Sequence, residues 1–197
     1  SEPRSDDATL RRAGRTRRVT GVQLGVGHGL RVVPAPGVGR CEQAPVVGVG
    51  QNPVANATVE RVKALAAVNN SSCVISKYIG YNAYRKQGGY AIAAACLTGQ
   101  RDAEDLIKIM EHSGLRGLGG AGFPTGRKWR IVRGEKGPRV MAVNIDEGEP
   151  GTFKDRYYLE SEPHRFLEGT KIAAWTAQIS EAKSYRRDEY AGVRAIL

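Results

Sequence analysis

Only three cysteines occur in 197 residues, at Cys41, Cys73 and Cys96. On count alone, a disulfide scaffold and a compact four-cysteine metal site are both excluded. Such sparing use of cysteine suits a reducing, cytoplasmic compartment. No stretch approaches 18 apolar residues, so no membrane-spanning helix is readable. The N-terminal arginines have no apolar core behind them like that of a secretory signal. Acidic residues are the minority charge, 20 against 30 Lys and Arg, for a formal +10. A surface of that sign attracts phosphates, nucleic acid or an acidic protein. Residues 1–40 hold eight arginines and three acids but no Phe, Tyr or Trp. Bases therefore have no stacking platform there, and 1–29 reads as a solvated, irregular basic arm and not a nucleic-acid module. The three histidines, His28, His112 and His164, have no Ser or Cys nucleophile beside them, so no catalytic residue is assigned. Internal repeats and low-complexity segments are absent.

Glycine is what the chain has in excess, 25 residues, where about 7% is usual. The hydrophobic share of 41% and charged share of 25% remain those of a globular protein. Leu30 to Val33 and Val46 to Val49 predict short strands, with a turn at Gln51-Asn52-Pro53. Ala57 to Val68 predicts a helix burying Val59, Val62, Leu65 and Ala66. Residues 30–68 thus form a small strand–strand–helix unit, joined by a linker at 69–77 to a domain over 78–197. In that domain, helices are predicted over Tyr90–Leu97, after Asp102, after Thr125, from Pro163 and from Asp188. A buried strand is predicted over Arg139–Asn144. The order indicates an α/β layer.

Two loops could carry chemistry. Gly117 to Gly126 contains GxGxxG at Gly117, Gly119 and Gly122. At this glycine content roughly 0.4 such matches arise by chance, and a helix precedes this one where the dinucleotide fingerprint has a strand. Glycines let backbone N–H groups approach a phosphate or a flat ring. Arg127, Lys128 and Arg130 could neutralise a phosphate, and Phe123 could lie against a ring. A flexible turn with a basic rim is the competing reading. The second loop, Asn144 to Arg156, follows the predicted strand and gathers Asp146, Glu147 and Glu149 around Gly148 and Gly151. Carboxylates accept hydrogen bonds from ribose hydroxyls or a ring N–H. An acidic surface turn balanced by Lys154 and Arg156, or a divalent-metal site, are the alternatives there.

The run from Gly114 to Trp129, the run from Asn144 to Arg156, and Pro163-His164-Arg165-Phe166-Leu167-Glu168-Gly169 resemble the family of flavin- and NADH-binding subunits. That family includes the 51 kDa subunit of respiratory complex I, the diaphorase subunit of NAD-linked hydrogenases and the beta subunit of NAD-dependent formate dehydrogenases. Leu118 and Arg127 resemble the formate dehydrogenase branch. Gly37 to Pro45 resembles the second half-motif of the thioredoxin-like [2Fe–2S] domain fused ahead of the flavin domain in that branch. Gly37 stands where the family has a cysteine and the family's preceding cysteine pair is absent too, so one thiolate, Cys41, remains of the four ligands such a cluster needs. The resemblance therefore implies a partial thioredoxin-like unit followed by a partial Rossmann-like FMN-binding domain of the complex I 51 kDa type. It implies FMN and NAD as cofactors, and no iron–sulfur cluster or other metal on this chain. Gly117, Gly119, Gly120 and Lys128 would contact FMN, and Phe123 the nicotinamide or adenine. Asn144, Asp146 and Glu147 would hold the flavin, with Glu149 on the NADH side, the two loops walling one slot. Partners would be iron–sulfur and formate-oxidising subunits of a hetero-oligomer, with no membrane and no nucleic acid. Two departures stand out: Ile145 in place of a small residue, and Ala182-Lys183-Ser184-Tyr185-Arg186 where the family has an apolar strand. The family's later Gly-Glu-Glu loop and [4Fe–4S] cysteines do not occur before Leu197, so the chain is expected to be an incomplete domain.

Overall fold

The computed structural model describes residues 20–24, 30–34, 37–68, 73–118, 120–149 and 151–197. The arm through Arg18, His28, linker residues 69–72 and Gly119 of the glycine loop lie outside them. The chain divides into two compact units. The first takes residues 1–77, 146–161 and 186–197; the second takes 78–145 and 162–185. Residues 78–197, expected as one domain, are thus divided between the two.

In chain order the elements are β1 Thr20–Leu24, β2 Leu30–Pro34, β3 Val47–Val49, β4 Asn52–Val54, α1 Val59–Ala67, α2 Tyr81–Lys86, α3 Ala91–Leu97 and α4 Ala103–His112. Then follow α5 Thr125–Gly134, β5 Val140–Ile145, α6 Lys154–Ser161, α7 Pro163–Thr176, β6 Glu181–Arg186 and α8 Ala191–Ile196. The mixture of small sheets and helices is the α/β class that the sequence predicts.

In the first unit the sheet order is β2-β1-β3-β4. β1 runs antiparallel to β2, with Val22 opposite Val32, and parallel to β3. β3 and β4 are antiparallel, Gly48 opposite Pro53. Pro53 sits on an edge strand, where a missing N–H is tolerated. β1 lies in the stretch expected to be irregular. Its glycines disfavour helix, but β1 has a strand on each side, and two ladders supply the pairing that residue propensity does not. α1 opens at Thr58, whose hydroxyl accepts the Arg61 N–H at 3.3 Å. It buries Val62 and Ala66 against Val47, Val49 and Val54. Each such valine is worth roughly 1.5–3 kcal/mol of burial. Leu65, expected on that face, remains 44% exposed because it lies at the edge of the Val62–Ala66 stripe.

In the second unit α2, α3, α4 and α5 all pack on α7, and α4 packs on α5. Ala93, Cys96, Ala103, Leu106 and Ile107 are the buried apolar residues of α3 and α4. α7 begins at Pro163, where a missing N–H costs nothing. β5, expected as a buried strand, alternates exposed and covered residues and ends on buried Ile145. Among the described residues it pairs with β6, in which Glu181, Lys183 and Arg186 are charged and every residue but Arg186 is exposed. A two-stranded ribbon covered on one face gives that alternation.

Candidate functional site

The glycine loop is closed at its neck. The Gly117 N–H donates to the Phe123 carbonyl at 3.0 Å, and the Thr125 N–H to the Leu115 carbonyl at 2.9 Å. Arg116 Nη1 donates to the Gly122 carbonyl at 3.1 Å, and Gly122 takes φ +53, which favours glycine. The helices either side are locked together. A Cβ on Gly126 would lie 2.4 Å from the Glu111 amide nitrogen, so α5 meets α4 at backbone distance. Arg130 of α5 reaches both Glu111 oxygens at 2.8 Å and Glu104 at 2.8 and 3.0 Å. Its hydrogen bonds hold the Glu111 carboxyl below the usual range. Thr125, expected as a cap, is the first helical residue, and Pro124 occupies the cap position. On this frame Gly117, Gly120 and Lys128 are exposed. Leu118 is 89% exposed, and Phe123 is 42% exposed with the Arg127 guanidinium 5.8 Å from its ring centre.

The acidic loop follows β5. Asn144, in the second unit, is exposed and Ile145 is buried. Asp146, Glu147 and Glu149 belong to the first unit, whereas Asn144 and the glycine loop belong to the second. Asp146 and Glu149 are exposed, while Glu147 is 2% exposed. Glu147 Oε1 accepts the Asp155 N–H at 2.9 Å. Oε2 accepts the Arg156 N–H at 3.3 Å and the Tyr190 hydroxyl at 3.2 Å. Lys154 Nζ stands 3.8 Å away. The carboxylate therefore caps the N-terminus of α6, where amides lack helical partners and negative charge is favoured. Burial, then Glu147, pushes the Tyr190 hydroxyl up to about 12.

Neighbouring side chains continue the network. Arg187 Nη1 donates to the Glu147 carbonyl at 2.8 Å, and Nη2 donates to the Gly37 carbonyl. Buried Arg156 donates to the Gly39 carbonyl at 3.1 Å and pairs with Glu160 at 2.9 Å and with Glu42. Arg40 also reaches Glu160, at 2.7 Å. The segment carrying exposed Cys41 is thereby tied to the acidic loop. Sequence reasoning misses Tyr190 and Arg187, which follow the loop by about forty residues with no local pattern linking them.

The second unit holds another polar cluster that sequence reasoning misses. Glu168 accepts the Tyr84 hydroxyl at 2.6 Å, the Tyr90 N–H at 2.8 Å and the Ala93 N–H at 3.4 Å. Tyr90, at φ +63, precedes α3 and has no side-chain cap of its own. Its hydroxyl pairs with His164 Nδ1 at 3.0 Å. Burial favours the neutral Glu168 acid, but the Tyr84, Tyr90 and Ala93 hydrogen bonds outweigh it and hold the carboxyl below its ordinary value. An open cavity of about 380 Å³ between the start of α4 and the ends of α5 and α7 includes none of the expected site residues. Among the described residues no helix is long and apolar enough to cross a membrane.

Residues 110–197 match the family model of the Nuo51 FMN-binding domain. The F subunit of the Aquifex aeolicus NADH-quinone oxidoreductase is 45% identical over 107 residues, 54% of this chain and 25% of that protein. An F subunit of the Rhizobium meliloti NADH-quinone oxidoreductase is 43% identical over 108 residues, covering 54% and 25%. The chain spans about a quarter of the length of these relatives. An NAD+-reducing [NiFe]-hydrogenase in the air-oxidised state aligns over 80% of this chain and 30% of the hydrogenase chain, with TM-score 0.64 and 27% identity. The H2-reduced form aligns over 98% of this chain and 42% of that chain with TM-score 0.68 at 21% identity, a likeness of fold.

Proposed function

With an FMN-binding domain of the Nuo51 type over residues 110–197, we propose that the chain is part of a diaphorase subunit that moves electrons between NAD(H) and FMN. The observation that carries this reading is the open backbone of the glycine loop inside that domain. A Cβ on Gly120 would meet nothing within 4 Å, and one on Gly117 only backbone atoms of Phe123 at 3.8 and 4.0 Å. Flat rings and phosphates need such bare, donor-rich backbone. Gly117, Gly119, Gly120 and Lys128 would hold FMN, the lysine as a point charge for its phosphate. Phe123 would lie against the nicotinamide or adenine. Asn144 would donate and accept hydrogen bonds at the flavin, Asp146 would accept them there, and Glu149 would accept from NAD(H) hydroxyls. Glu147, expected beside the flavin, acts in this reading through the backbone it fastens. When bound, FMN supplies hydride acceptance and one-electron release. The protein's part is orientation, which needs no side-chain acid or base.

The wider assembly in this proposal is an NAD-dependent formate dehydrogenase of the cytoplasm, with formate oxidised on a partner subunit and iron–sulfur subunits between. Leu118, Arg127 and the Gly37–Pro45 segment support that branch. A second reading, an NAD-reducing hydrogenase or complex I assembly, is favoured by the 27% identity to the hydrogenase and the 45% identity to the Aquifex aeolicus relative. Anaerobic NADH added to the purified full protein is expected to bleach a flavin band near 450 nm. Gly120→Ala is expected to fold normally and lose flavin, and equal flavin content in the variant would remove the glycine loop from the site. Formate, hydrogen and quinone, offered in turn to the native complex, distinguish the assemblies.

A further inference from the structure

Glu147 is clamped from a second part of the chain. Two of the groups that clamp it, the Tyr190 hydroxyl on Oε2 and Arg187 Nη1 on its carbonyl, come from the segment preceding α8. Arg187 lies over the Tyr190 ring at 5.6 Å and pairs with Glu189 at 3.3 Å. Both residues also seat on the loop before Cys41. Arg187 bonds the Gly37 carbonyl, and Tyr190 lies so close to Gly39 that a Cβ there would be 2.5 Å from its hydroxyl oxygen. Gly39 itself takes φ +65. Between the Glu147 clamp and α6 the loop makes a turn in which the Thr152 N–H donates to the Glu149 carbonyl at 3.1 Å. The exposed carboxylates Asp146 and Glu149 flank the clamped residue by one and two positions.

We propose that Arg187 and Tyr190 are positioning residues that, through Glu147, hold the acidic loop in the shape that presents Glu149 to a hydroxyl-bearing dinucleotide. The proposal rests on the diaphorase reading above. A loop tethered at one buried carboxylate keeps its neighbours' backbone within the tolerance that a hydrogen-bonded ligand requires. Freeing the tether costs binding and leaves the chemistry of the bound cofactors intact.

The test uses the full protein with Arg187→Ala, Arg187→Lys and Tyr190→Phe, the last of which keeps the ring on Gly39. Amide hydrogen exchange at Asp155 and Arg156, read without added cofactor, is expected to quicken about threefold in Tyr190→Phe, as one bond to their shared acceptor is lost. The KM for NADH is expected to rise about tenfold in Arg187→Ala with kcat within about twofold, and Arg187→Lys to recover most of the loss. Unchanged exchange in Tyr190→Phe overturns the tether. A fall in kcat or unfolding midpoint with KM unchanged makes the residues structural only and overturns the positioning role. If NADH fails to bleach the unmodified protein, the diaphorase reading falls and the positioning role with it. Bleaching that is normal in the parent, with KM unmoved in Arg187→Ala, sinks the positioning role alone.

Discussion

Each unit contains a glycine, a tyrosine and a buried glutamate in the same relation. In the first, Tyr190 lies on Gly39 and donates to Glu147, which caps α6. In the second, Tyr84 lies on Gly89, where a Cβ would be 2.2 Å from its ring, and donates to Glu168, which accepts the amides at the start of α3. Both tyrosine hydroxyls are pushed up to about 12, by burial first and by their glutamate second. The difference lies in sequence distance. Glu168 takes all three donors from 75 to 84 residues away, so it fastens α7 to the α2–α3 segment. Glu147 takes its amides from eight and nine residues away, so it shapes the loop in which it stands. One device serves the scaffold; the other serves a surface loop with exposed carboxylates.

The comparison is broken most strongly by Glu168→Ala. It leaves two amides and a hydroxyl without their acceptor, at an expected cost of about 3 kcal/mol in a denaturant melt. A loss under about 1 kcal/mol would mean that water replaces the carboxylate there. Next comes Gly39→Ala, which forces the Tyr190 ring away and puts Ala at a left-handed φ, for about 2 kcal/mol. The same melt with Gly120→Ala should show almost no change, since that position is open. Tyr84→Phe is expected to cost about 1 kcal/mol and Tyr190→Phe less, in line with bonds of 2.6 and 3.2 Å. Equal losses would erase the distinction between scaffold and loop.

The smallest effects are in titration. Glu168 is held below its ordinary 4.5, so its contribution is present above that value and is lost as pH falls through the folded-state value. Unfolding midpoints should therefore decline below about pH 4.5, and decline less in Glu168→Gln. At the alkaline end, Tyr84 and Tyr190 should be among the last to ionise, near 12. Tyrosinate absorbance at high pH should lose part of its late phase in each Phe variant.

Much of the second unit was legible locally. The predicted helices at Tyr90–Leu97, after Asp102, after Thr125 and from Pro163 correspond to α3, α4, α5 and α7, because caps, proline and apolar spacing act within a turn or two. α2 and α6 went unread, since each is short and polar on most sides and is held by contacts from distant segments. β1 was hidden for a similar reason: its partners, not its residues, make it a strand.

The amino-acid order by itself determined that one loop would be bare backbone with cations after it and another would be rich in carboxylates, because both properties belong to consecutive residues. Only tertiary structure decided that, of the three carboxylates at 146, 147 and 149, the middle one is withdrawn from water while the other two stay exposed. Burial of a charge requires donors, and those on the Glu147 carboxylate arrive from the first amides of α6 and from Tyr190, while Arg187 holds its main-chain carbonyl.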